Sequence, residues 1–152
     1  MRSPSKWPLS KAWLVVATLD ILAAIVQTLA GGGNLSRLGQ YIASGVFGRS
    51  AFEGGVTYAL MGYVFHYGIA FGWTALFYVV YPRVNLLHRN WVITGVGYGM
   101  FVWFMMNRVI LPLSNVPQGP FDLARATLAC TILIVAIGLP LAWMSSRGRN
   151  RD

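Results

Sequence analysis

The sequence predicts an all-α integral membrane protein: a four-helix bundle with a short interfacial amphipathic helix between the first and second spans. Three observations lead there. Of the 152 residues, 56% are hydrophobic and only 11% charged, well below the roughly 25% charged residues of an average soluble domain. The apolar residues fall into four runs, each near the ~20 residues that cross a bilayer as a helix. Basic residues gather at the ends of those runs, the distribution that sets orientation in a membrane. Four spans and their connections use nearly the whole chain, so one membrane domain covering 1–152 is expected.

The first span covers about 12–31, preceded by Arg2, Lys6 and Lys11 and closed by Gly31-Gly32-Gly33. A secretory signal peptide is the competing reading. Signal cores run ~7–15 residues, however, whereas this run is longer and contains Asp20. Residues 35–48 are too few and too polar to span, yet Leu35, Leu38, Ile42 and Val46 recur at helical spacing. That pattern predicts the interfacial helix, weakened by Gly39 and Gly45. The triplet Asn34-Leu35-Ser36 also matches a glycosylation acceptor, a motif common by chance.

The second span covers about 54–81 and breaks at Tyr81-Pro82-Arg83. The third covers about 91–113, stopping at Pro112 before a loop with Pro117, Gly119 and Pro120. The fourth covers about 123–144, with Pro140 expected to bend its last turn. Trp13, Tyr81, Trp91 and Trp143 lie near span ends, where aromatic belts form.

Orientation follows from basic residues. Arg2, Lys6, Lys11, Arg83, Arg89, Arg147, Arg149 and Arg151 fall on one side, against Arg37, Arg49 and Arg125 on the other. The richer side is cytoplasmic, so both termini are expected inside. In a soluble protein the net charge of +8 would suggest nucleic acid, but the cations are not interleaved with aromatics along a stripe, and no nucleic-acid partner is expected. The lipid bilayer is the expected partner. Cys130 is the only cysteine, which excludes an intrachain disulfide.

Asp20 lies about 12 Å into the first span at 1.5 Å per residue. A charge near a span centre costs roughly 2.5–3.5 kcal/mol, so this carboxyl needs shielding, a partner or a proton. Ala17, Ala24, Gln27 and Gly31 share its face, a small and polar stripe suited to packing against other helices. His66 lies at similar depth in the second span, on the face of Gly55, Ala59, Gly62 and Ala70. The two are expected to form an inward hydrogen-bonded pair, with Gln27, Tyr63 and Tyr98 as further members of the network. Either the pair only fixes helix register, or it binds and passes a proton or cation, because imidazoles exchange protons near neutral pH.

Arg108, near the outer end of the third span, is expected to pair with Glu53 or to snorkel alone, with Asn107 beside it. Gly68 and Gly72, like Gly95 and Gly99, form G-x-x-x-G pairs that let helices approach closely, and Gly62 adds another small site. Such glycines more often build a monomer, with a homo-oligomer or larger membrane complex as the alternative. No cofactor or metal is expected: His66 is the only histidine placed to ligate haem, and no C-x-x-C or H-E-x-x-H occurs. G-x-S-x-G and P-loop signatures are also absent.

One further signal is the order of Ile42-Ala43-Ser44-Gly45 with Gly48, then Gly62 and His66, Tyr81-Pro82, Gly95 with Tyr98-Gly99, and Pro112-Leu113. In these features, over about two thirds of its length, the chain resembles the YagU-like family of small bacterial inner-membrane proteins, whose activity is not established. The resemblance implies a bacterial inner-membrane location and a compact helical bundle, and brings no catalytic residues. The chain is shorter than the typical relative. The function expected from the sequence is that of a non-catalytic membrane component. A small proton, cation or solute conduit built on Asp20 and His66 is the alternative. An enzyme acting on a lipid or quinone has little support, because the cytoplasmic edge offers mainly Arg83, His88 and Arg89, which topology already explains.

Overall fold

The protein's structure, a computed structural model, describes residues 7–117 and 119–147. Among these residues it holds five helices and no strand: α1 (Leu9–Ala30), α2 (Leu35–Phe47), α3 (Gly55–Val80), α4 (Trp91–Leu113) and α5 (Leu123–Ser146). Arg2, Lys6, Arg149 and Arg151 of the orientation argument lie outside the described residues. The helix starts have a local cause. Asn34 accepts a hydrogen bond from the Arg37 amide, Asn90 from those of Val92 and Ile93, and Asp122 from that of Arg125, each satisfying amides that lack a partner in the first turn. Asn34 is thus a helix cap.

All helices except α2 are long and apolar enough to cross a membrane, with mean hydropathy of 1.9 for α1, 1.3 for the α3 span, 1.3 for α4 and 2.1 for α5. Their outward faces carry exposed large apolar side chains, among them Leu22, Val26, Val64, Ile93 and Val135. Water would not tolerate so extensive a surface, and the chain is a multi-pass membrane protein.

Residue size sets the packing order. Trp13 Nε1 donates to the Tyr67 carbonyl at 2.8 Å, and Tyr78 OH to the Trp7 carbonyl at 3.0 Å, fixing α1 antiparallel to α3. At the α2–α3 crossing, a side chain on Gly62 would run into the Gly39 carbonyl. At the α4–α5 crossing, Gly95 meets Gly138 and Leu139 while Gly99 meets Ile134. Only glycine permits backbones this close. Between α3 and α4 the bulky rings of Trp73, Phe77, Tyr98 and Phe101 hold the backbones apart.

Two wide-turned segments, Met106–Ile110 in α4 and Ile134–Gly138 in α5, each lie just before a proline, Pro112 or Pro140. A proline inside a helix lacks its N–H, and its ring crowds the carbonyl four residues back. The preceding turn widens to i→i−5 bonding, seen as Leu111 N–H to Met106 O and Leu139 N–H to Ile134 O. The expected bend at Pro140 therefore takes the form of a π turn ahead of it.

The bundle is tight at one end and open at the other. Ala12, Val16, Phe77, Val102, Leu141 and Met144 form a buried cluster at the end where α1 begins. By contrast, Leu123–Leu133 of α5 buries no residue, so the first half of α5 splays from the other helices at the end that carries α2.

Candidate functional site

The splay encloses a cavity of about 420 Å³ to which α1, α2, α3, α4 and α5 all contribute. Its size falls within the roughly 300–1,000 Å³ of small-molecule sites. Asp20 and His66 lie on its wall, with side chains 19% and 13% exposed. They sit together because α1 and α3 run antiparallel with these two positions level, as their shared depth in the sequence predicts.

The contact between them is not the expected hydrogen bond. Asp20 Oδ2 is 3.9 Å from His66 Nε2, too far for hydrogen bonding. His66 Nε2 instead lies 3.0 Å from the Ala17 carbonyl oxygen. A carbonyl only accepts, so Nε2 carries the proton and, in the neutral ring, Nδ1 is the acceptor. The ring is further fixed edge-on to Tyr67 at 5.7 Å. His66 thus ties α3 to α1. The Asp20 carboxylate receives no hydrogen bond from any described residue.

The wider network is arranged differently from the one predicted. Gln27 lines the cavity without bonding to the pair. Tyr63 OH donates to the Leu35 carbonyl at 2.9 Å, binding α3 to α2, and Tyr98 OH donates to the Trp73 carbonyl at 2.5 Å, binding α4 to α3. Both hydroxyls satisfy backbone acceptors instead, because those are nearest across each helix crossing. Glu53 and Arg108 make no ion pair with each other among the described residues. Arg108 is exposed and its guanidinium lies 5.0 Å from the Phe121 ring centroid, where the ring face attracts it. Its neighbour Asn107 lines the cavity and donates to the Trp103 carbonyl at 3.0 Å.

The glycines divide. Gly62, Gly95 and Gly99 are crossing points, whereas nothing lies within 4 Å of a side chain built on Gly68 or Gly72. That G-x-x-x-G pair joins no helices among the described residues, because it faces outward from α3. Among the described residues, no group of three or more His, Cys, Asp or Glu gathers as a metal site would require.

Two features of the cavity were not read from the sequence. Tyr41, Ile42, Gly45 and Val46 of α2 cover it, a role that amphipathicity alone does not announce. Partial burial raises the Tyr41 phenol above its ordinary value, keeping it neutral. Trp73 also lines the cavity; it is 9% exposed and its Nε1–H meets no acceptor. The i+7 spacing from His66 puts Trp73 on the same face of α3, and this was the available signal. A second cleft of about 390 Å³ lies between α3 and α4. It offers only Thr94 and Tyr98 as polar side chains, both spent on the Leu87 and Trp73 carbonyls. Of these two cavities, only the first brings a carboxyl and an imidazole to its wall.

No protein-family model, curated protein or solved structure matches this chain.

Proposed function

We propose that this chain is a non-catalytic multi-pass protein of the bacterial inner membrane, with both termini cytoplasmic, that binds and carries a proton, a cation or a small solute beside Asp20 and His66. The observation that carries the reading is the Asp20 carboxylate. It stands on a cavity wall deep in an apolar bundle and receives no hydrogen bond from any described residue, an arrangement costly enough that intramembrane carboxylates of this kind usually serve function. Packing alone accounts for His66, which donates to Ala17, but leaves Asp20 without a purpose. The buried cluster from Ala12 to Met144 lies beneath the cavity. A carrier that opens by shifting helices therefore fits better than a continuous pore.

The basic termini and the Arg147 guanidinium, 4.2 Å from the Trp143 ring centroid, support a cytoplasmic placement of that end. The YagU-like motif order supports the bacterial inner membrane. On this reading α2, with its polar residues and its crossing over α3, lies at the outer interface. Protein reconstituted into proteoliposomes should dissipate an imposed proton or monovalent-cation gradient between pH 5 and 8, and Asp20→Asn should abolish the flux. Wild-type vesicles no leakier than protein-free ones would refute carriage of protons and monovalent cations.

A further inference from the structure

We infer that the α2-end cavity is a binding site for amphipathic organic cations that carry a hydrogen-bond acceptor on an apolar body. The inference rests on reading this cavity as a solute site and specifies the solute's chemistry.

Charge selection comes first. The chain has 12 basic and 4 acidic residues, yet no Lys or Arg lines the cavity. His66 gives its Nε2–H to Ala17, and among the described residues Asp20 is the only acidic side chain on the wall. In a low-dielectric site a carboxylate with no Lys or Arg beside it attracts a cation strongly and disfavours an anion. An ammonium N–H that reaches it also supplies the hydrogen bond it lacks.

A bare ion would leave most of the remaining wall unused. A hydrated metal ion or proton needs no large apolar surface, but most of the lining is apolar, including Phe65, Ile69, Ile132 and Ile137. A ligand body filling this volume must itself be apolar. Trp73 adds an independent polar point. Its indole N–H is buried without an acceptor, which is costly unless something accepts from it; the atom is covered in this structure, so a ligand oxygen meets it once the ring turns that edge toward the cavity. Trp73 lies two helical turns along α3 from His66, roughly 10 Å. The complementary molecule therefore has an ammonium at one end and a carbonyl or ether oxygen part-way along its apolar body.

The test compares procaine with benzocaine, two aminobenzoate esters of which only procaine carries an ammonium, by equilibrium binding to the full-length protein in lipid nanodiscs. Procaine should bind at least tenfold more tightly, the scale of one charge-assisted hydrogen bond. Asp20→Asn should erase that preference, and Trp73→Phe should weaken both ligands several-fold while preserving it. Asp122→Asn, on the exposed cap of α5, should leave binding unchanged. Equal affinity of the two ligands for wild-type protein would overturn the inference and identify the cavity as a lipid-accessible apolar cleft. Should Asp20→Asn fail to fold, the procaine-to-benzocaine ratio on wild type and Trp73→Phe still decides. Selective procaine binding without flux would sustain this inference while refuting carriage of protons and monovalent cations. Proton flux without procaine selectivity would do the reverse.

Discussion

Single glycines decide how close these helices come, and they carry opposite expectations at positions that look alike in the sequence. A Cβ on Gly62 would overlap the Gly39 carbonyl, whereas one on Gly68 meets nothing within 4 Å. Alanine normally stabilises a helix interior by up to about 1 kcal/mol over glycine. Gly68→Ala should therefore be neutral or slightly stabilising. Gly62→Ala should cost about 1–3 kcal/mol, because the α2–α3 crossing must open to admit the methyl. Unfolding curves of the two variants in mixed micelles check the contrast, and equal midpoints would disprove the assigned crossing. The sequence exposed both residues as small sites on helices but could not rank them. G-x-x-x-G spacing reports that a face is small, not that a partner lies against it. Asp20 and His66 were readable for a firmer reason: ionisable groups in apolar runs are rare enough to stand out. Their depths followed from counting, while the choice of Ala17 over Asp20 as the His66 acceptor depends on ångström-scale placement that no pattern encodes.

Among the elements, the four apolar helices were the most legible, because hydrophobic length and proline or glycine punctuation act locally. Helix α2 was legible as amphipathic and helical, but its covering of the cavity was not. Gly39, which weakens the helix by propensity, is also the residue that lets it cross α3. The prolines show how an element absorbs a local defect. Pro140 follows the wide turn Ile134–Gly138, which keeps α5 continuous where a strict α-helix would set the ring against the Ala136 carbonyl. Pro140→Ala should let this turn tighten to i→i−4 bonding, giving a newly protected amide at position 140 and slower hydrogen exchange across Ile134–Gly138. An unchanged exchange pattern would mean that the close packing of Gly138 on Gly95, and not the proline, holds the turn wide.

At the scale of the whole molecule, the sequence implied a bundle but not its taper, because splaying depends on how five helices share a few small contacts. The taper makes the two ends chemically different. One is a dry cluster in which Ala12 is fully buried; the other is a cavity reached by Ser114 and Asn107 from α4 and the turn after it. If the eight basic residues hold the dry end in the cytoplasm, the cavity faces outward. In a Cys130→Ala background, Ser114→Cys should react with a membrane-impermeant cationic thiol reagent added to intact cells. Ala12→Cys should stay unmodified until the protein is denatured. Reaction of Ser114→Cys only in inverted vesicles would reverse the orientation while keeping the cavity. Protection of Ser114→Cys from both sides would mean that the splayed end is closed in the bilayer, and a solute would then reach Asp20 only after α2 or the first half of α5 moves aside.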